Sequence, residues 1–177
     1  GQLVELVARL AEQPGIEDLA MTTNGTQLER WAEPLKKAGL QRVTISLDSL
    51  HPERFAQLTQ REVLCRVLAG IKAAADAGFK ELKINTVVIR GFNDDEIIDL
   101  MQFAASVNAE LRFIEYMDVG TLNDWKLEEV MTADEIVQLI EQKFPADPVG
   151  PTYPGEVAKR YRYRDGGVSN TLGTQQT

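Results

Sequence analysis

The chain has 177 residues, enough for one domain with a sizeable core. Its 44% hydrophobic and 26% charged content is that of an ordinary globular protein. A net charge of −8 speaks against generic binding to nucleic acid or anionic membranes, and the single cysteine, Cys65, excludes an internal disulfide framework or a four-cysteine metal site built from this chain alone.

The elements read in chain order as follows. Leu3, Leu6, Val7 and Leu10 recur at helical spacing until Pro14-Gly15, so the chain opens inside a helix. A helix with no cap before it points to sequence upstream. Leu19-Ala20-Met21-Thr22 is a short buried strand that ends at Asn24-Gly25. Leu28, Trp31, Leu35 and Ala38 mark a second helix, which Pro34 should kink or restart and Gly39 should end. A β-branched strand follows, Arg42 to Asp48. After a loop through His51-Pro52, one long helix is predicted from about Arg61 to Ala77, with Cys65 as a small core hydrophobe.

The next strand is Leu82 to Ile89. Asn93 and Glu96 then stand at capping-box spacing before another helix. A fourth strand runs from Leu111 to Met117, a looser stretch covers Thr121 to Glu129, and Thr132 with Glu135 opens a further helix. The apolar–basic alternation Val157 to Tyr163 comes last, before a Ser/Thr/Gln/Gly-rich end expected to be mobile. The predicted fold class is α/β: about four parallel strands with outer helices, a partial (βα) barrel of the TIM-like type, because a full barrel takes about 250 residues. The expected divisions are 1–125 as barrel, 126–167 as a helix and strand, and 168–177 as a flexible tail. No apolar run approaches the roughly 20 residues of a membrane span, and no signal-peptide pattern opens the chain, so the expected location is the cytoplasm.

Ligands of parallel α/β folds sit at the C-terminal ends of the strands. Polar residues interrupt every apolar strand here: Thr22, Thr23 and Asn24; Thr44, Ser46 and Asp48; Lys83 and Asn85; Arg112, Glu115 and Met117. A lysine and a glutamate inside apolar strands need a partner or a ligand. The structural alternative is a buried Lys83–Glu115 ion pair. The functional one is a pocket whose cations and hydroxyls suit a phosphorylated or carboxylate-bearing ligand. The acids at 94–96 read as complements to a helix N-terminus rather than a metal site.

Five runs carry a resemblance. They are Met21 to Gly25; Val43 to Ser49; Lys83 to Val88 with Gly91 to Glu96; Leu111 to Gly120; and Gly155 to Arg162. In order and spacing the chain resembles the molybdenum cofactor biosynthesis protein A family, the radical-SAM GTP 3′,8-cyclases, over residues 3 to 167. The resemblance implies a six-stranded partial barrel of the radical SAM type. It implies S-adenosylmethionine and two 4Fe-4S clusters as cofactors, GTP as substrate and a cyclic pyranopterin precursor as product. It places Ser46 and Met117 against S-adenosylmethionine, and Thr22 and Lys83 against GTP. Asn24, Asn85, Arg112 and Glu115 are further pocket candidates, and the catalytic residue is left open.

The family's cysteine loop and its later cluster cysteines have no counterpart here, and Cys65 matches neither. The chain is therefore read as a central fragment of a lyase, inactive by itself and with no metal ligands of its own. The expected partners are GTP and S-adenosylmethionine, with no nucleic acid and no membrane. Two other readings stand beside it. One is a non-catalytic interaction module, or homodimer, paired through the edge of the first strand. The other is a lyase using Lys83 as a Schiff-base amine.

Overall fold

The computed structural model describes residues 1–117, 127–150, 158–165 and 168–175. The N-terminal part alternates helix and strand: α1 Gln2–Ala11, β1 Ala20–Thr23, α2 Leu28–Lys37, β2 Arg42–Ser46, α3 Pro52–Thr59, α4 Leu64–Asp76, β3 Glu81–Val88, α5 Ile97–Ser106 and β4 Glu110–Glu115. After it come α6 Ala133–Glu141, β5 Ala146–Val149, β6 Ala158–Asp165 and β7 Val168–Gln175. The described strands form one open sheet in the order β1-β2-β3-β4-β7-β6-β5. Strands β1 to β4 are parallel, and β7 runs parallel to β4. β6 and β5 extend the sheet antiparallel. This is the predicted α/β arc; the strand expected within 126–167 is β6, and β5 and β7 beside it were not foreseen.

The core lies between one face of the sheet and the helices. Val43, Ile45, Ile84, Val88, Leu111 and Phe113 alternate toward the helix layer and are buried. They meet Leu35, Val67, Ile71, Leu100, Ile136 and Ile140 from the helices. Each such side chain contributes roughly 1.5–3 kcal/mol by leaving water. One contact is unusually close. A Cβ on Gly70 of α4 would stand 2.2 Å from the carbonyl oxygen of Gly25, in the turn after β1. Gly25 itself has a φ of +76°, which glycine adopts without strain.

Several expectations are corrected. The helix expected at 61–77 is α4, and a further helix, α3, stands where a loop through His51-Pro52 was expected. Pro52 occupies the first turn of α3, Phe55 is buried beneath it, and Gln60 ends it in the left-handed region at φ 57°. Pro34 does not restart α2, which runs through it. A proline removes one helical hydrogen bond, and here buried Leu28, Ala32 and Leu35 hold the helix on both sides of it. Cys65 is exposed, because the buried stripe of α4 follows Leu64, Val67, Ile71 and Ala74 and leaves the next position facing solvent. Residues 168–175, expected as a mobile tail, are strand β7. Its backbone is satisfied by β4 on one side and β6 on the other. Of the stretch expected to be loose, Leu127–Glu129 is a single 3₁₀ turn. Residues 118–126 and 151–157, which carry parts of two resemblance runs, lie outside the described residues.

The two capping boxes fared differently. At α6 the box is complete. Glu135 N–H donates to Thr132 Oγ1 at 3.3 Å, and the Glu135 carboxylate accepts from Thr132 N–H at 2.8 Å. Arg90 adds a two-pronged contact of 2.8 and 2.9 Å. The Thr132 backbone N–H, then Arg90, hold the Glu135 carboxyl down to about 2 from an ordinary 4.5. The sign follows from a depressed folded value. The stabilisation is complete above pH 4.5 and is lost as pH falls from there toward 2. A carboxyl titration followed by NMR should therefore show Glu135 with a midpoint near 2; a midpoint at its ordinary value would contradict the geometry.

The box expected at Asn93 does not form. Asn93 is fully buried and ties strand ends together instead. Its Nδ2 donates to Asp48 O at 2.7 Å and Val87 O at 2.9 Å, while its Oδ1 accepts from Ile89 N–H at 2.7 Å. Glu96, 1% exposed, accepts from Ser49 Oγ at 2.8 Å, Leu50 N–H at 2.7 Å and Arg54 Nη1 at 2.9 Å. Asp95 takes the same guanidinium at 2.6 Å, and that contact holds its carboxyl below the usual range.

Candidate functional site

The opposite face of the sheet carries the polar residues. On β2, Arg42, Thr44 and Ser46 alternate with buried Val43 and Ile45. On β3, Glu81, Lys83, Asn85 and Val87 alternate with Leu82, Ile84, Thr86 and Val88. The register aligns them into rows. Thr22 lies opposite Thr44, Thr44 opposite Lys83, and Lys83 opposite Glu110. One row nearer the strand tips, Ser46, Asn85 and Arg112 stand side by side. With strands about 4.8 Å apart, a four-strand row spans roughly 14 Å, the scale of a nucleotide. Thr22, Ser46, Lys83, Asn85 and Arg112 are thus brought together.

The other candidates fall elsewhere. Asn24 sits in the turn after β1, and its Oδ1 accepts from the Thr26 N–H at 3.2 Å and hydroxyl at 2.9 Å. It borders a cleft of ≈ 180 Å³ at the strand tips, with Ser46, Asp48, Phe55, Thr59 and Arg61. That is below the roughly 300–1,000 Å³ of a whole ligand pocket. Glu115 pairs in register with buried Val88 and accepts from the Ala133 N–H of α6 at 2.7 Å. It belongs to the helix side, away from the polar face. Met117 lies just beyond β4 and is 43% exposed.

The Lys83–Glu115 ion pair is not formed. Lys83, 8% exposed, binds Glu81 at 2.8 Å. Glu81 also meets Arg42 at 3.4 Å, and Arg42 pairs with Asp18. Burial would raise the Glu81 carboxyl, but Lys83 and Arg42 outweigh it and hold the group below its ordinary value. A second ladder lies beside it. Glu110 accepts from Arg112 Nε at 2.8 Å and from Arg160 at 3.0 Å. Arg42, Lys83, Arg112 and Arg160 thus line the face interleaved with Glu81 and Glu110. Lys83 Nζ is already held by Glu81 and is not free to approach a carbonyl, which weakens the Schiff-base alternative.

Asp48 was read as a strand-end polar residue beside Ser46 but was given no ligand role. Burial pushes its carboxyl up, only partly offset by the Val87 N–H, which donates to it at 2.9 Å. Its signal was its place two residues after Ser46 on an alternating strand. Glu96 and Ser49 had no such signal, being 47 residues apart.

An iron–sulfur cluster does not fit these residues. The one cysteine is exposed on α4, in the helix layer, and among the described residues no three His, Cys, Asp or Glu side chains are placed to hold a metal ion. The face also offers cations, hydroxyls and an amide, Asn85, whose oxygen is buried with no hydrogen-bond partner among the described residues. Among the described residues, no helix is long and apolar enough to cross a membrane.

Comparison with known proteins supplies the family. Residues 1–104 match the family model described as the radical SAM superfamily, and residues 109–173 match Molybdenum Cofactor Synthesis C. A GTP 3′,8-cyclase of Acidothermus cellulolyticus is 52% identical over 165 residues, covering 93% of this chain and 46% of its own length. A GTP 3′,8-cyclase of Aquifex aeolicus is 46% identical, covering 93% of this chain and 51% of its own. The chain thus spans about half the length of the curated relatives it matches. Among solved structures, TYW1 with a lysine-pyruvate adduct bound aligns with a TM-score of 0.54 at 19% identity, over 76% of this chain and 44% of that one. A radical SAM methyltransferase from Sphaerobacter thermophilus aligns at 0.51 and 17%, over 70% and 36%. These two bear on the fold alone.

Proposed function

Because the chain belongs to the radical SAM superfamily, we propose that it is the central part of a GTP 3′,8-cyclase, a lyase acting in molybdenum cofactor synthesis in the cytoplasm. Its share of the work is to hold GTP and S-adenosylmethionine across the polar face of β1 to β4. The observation that carries this reading is the convergence of Thr22, Ser46 and Lys83 on that one face, at the positions where the resemblance puts ligand contacts. Similarity to GTP 3′,8-cyclases over 93% of the chain supports it.

The roles follow from the chemistry of each side chain. Lys83 faces the triphosphate with a charge-assisted hydrogen bond, and Glu81 steadies the ammonium from below. Thr22 and Thr44 offer hydroxyls in the same row. Ser46, one row nearer the strand tips, and Met117, beyond β4, face S-adenosylmethionine. When held on a cluster, S-adenosylmethionine supplies radical chemistry; these 177 residues, with one cysteine, do not provide the thiolates for it.

Titration calorimetry with GTP tests the reading. Lys83→Ala is expected to weaken GTP binding roughly 10- to 100-fold, the worth of a hydrogen bond to a charged group. Equal affinity in the parent and the variant would refute it.

A further inference from the structure

We infer that Arg90 is a positioning residue: from the turn after β3 it clamps the segment that leads into α6, and so sets the spacing of the β2 and β4 tips between which S-adenosylmethionine would lie. The inference rests on the ligand reading above. It adds a residue that lies beyond the strand and is none of the proposed ligand contacts.

The Arg90 guanidinium donates twice to Val130 O, at 3.2 Å from Nε and 2.9 Å from Nη2, and Nη2 also meets both Glu135 oxygens at 2.8 and 2.9 Å. The Arg90 backbone N–H donates to Glu129 O at 2.8 Å, and Ile89 forms an antiparallel bridge with Val130. An exposed ion pair alone is worth little. Here the planar fork of one arginine and the backbone beside it grip the same segment, 40 residues away in sequence. Helix α6 does not need this grip to form. Its capping box is complete, and Ile136 and Ile140 are buried in the core. What Arg90 fixes is the place of residues 129–135 against the tip of β3.

That placement reaches both neighbouring strands. On one side Asn93, in the same turn as Arg90, accepts from Ile89 N–H and donates to Asp48 O, each at 2.7 Å. Asp48 is two residues past Ser46. On the other side Glu115, the last residue of β4, accepts from Ala133 N–H at 2.7 Å. Met117 is two residues past Glu115. The turn 89–93 thus laces together tips that stand two strand spacings apart, roughly 10 Å. Thr22, Thr44 and Lys83 lie in a row further from the tips, where strand pairing already fixes the spacing. A ligand held between Ser46 and Met117 therefore depends on the clamp, and one held by Thr22 and Lys83 does not.

The test measures S-adenosylmethionine and GTP by titration calorimetry on the 177-residue chain and on its Arg90→Ala, Glu135→Gln and doubly substituted variants. Arg90→Ala is expected to weaken S-adenosylmethionine roughly 3- to 10-fold, the scale for a residue that acts through its neighbours. GTP should stay within about twofold, as for an independent site. Lys83→Ala gives the opposite pattern. Glu135→Gln weakens the same clamp from its other side, and serves alone should Arg90→Ala fail to fold. The double variant is expected to bind S-adenosylmethionine as Arg90→Ala does, because both changes act on one contact. Equal weakening of the two ligands would make Arg90 merely structural and overturns the inference. Should the parent bind S-adenosylmethionine and Arg90→Ala bind it equally well, this inference alone falls. Should the parent not bind S-adenosylmethionine, that part of the ligand reading falls and this inference with it.

Discussion

Glu96→Ala is expected to cost the fold about 3–5 kcal/mol, the range for removing one partner from a buried charged network. The carboxylate is 1% exposed and accepts from Ser49 Oγ, Leu50 N–H and Arg54. Alanine would leave the Ser49 hydroxyl and the Leu50 amide buried without this acceptor, and each orphan costs roughly 1–3 kcal/mol. Those groups lie where the chain leaves β2 and enters α3, beside the cleft shared by Ser46 and Asp48. Urea unfolding measures the effect directly. Glu96→Gln keeps an acceptor for Ser49 and should lose less. A loss below about 1 kcal/mol for alanine would mean that the network is incidental.

Gly70→Ala is a prediction in which the sign itself decides. Alanine in a helix interior is favoured over glycine by about 1 kcal/mol. A free surface on α4 would therefore make the variant more stable. Here the new methyl would stand 2.2 Å from Gly25 O and 3.2 Å from Leu28 Cβ. The first contact is with backbone, so no side chain can swing aside. Forcing α4 away from the turn costs about 3 kcal/mol, near the top of the range for overpacking. The net expectation is a loss of about 2 kcal/mol, read from the denaturant midpoint at constant slope. Any gain in stability would show that the two segments do not touch.

Much of the arc was legible in the sequence because strand alternation is a local property. Val43 and Ile45 buried, with Thr44 and Ser46 on the other face, follow from a period of two. Which polar side chains share a row depends on register, and that is set between strands. The structural alternative set Lys83 against Glu115, but the register puts it level with Glu110, and its own strand neighbour Glu81 takes the charge. Glu96 was misread for the same kind of reason. Next to Asp94 and Asp95 it has the composition of a helix start. Only the packing of α3 brings Arg54 and Ser49 to it. Helix α3 was hidden by its proline, since a proline at a first helical turn and a proline in a loop look alike without the buried Phe55 that follows. Cys65 shows the limit of reading apolar neighbours without fixing the phase of the helix. The Thr- and Ser-rich stretch 168–175 has no apolar alternation to announce a strand, and takes its place from the open edges of β4 and β6.

The strand order also sets a timetable. β1 to β4 lie side by side in the order in which they leave the ribosome. Each strand–helix unit therefore finds its neighbour already made, and at about 5–20 residues per second a unit has seconds to settle. β7 breaks the sequence. Leu111 of β4 pairs with Leu172, roughly 60 residues later, which takes roughly 3–12 s to synthesise. Throughout that interval the outer edge of β4 stands with its amides and carbonyls uncovered, and it is during those seconds that the nascent chain is most open to capture by a chaperone or by another unfinished copy.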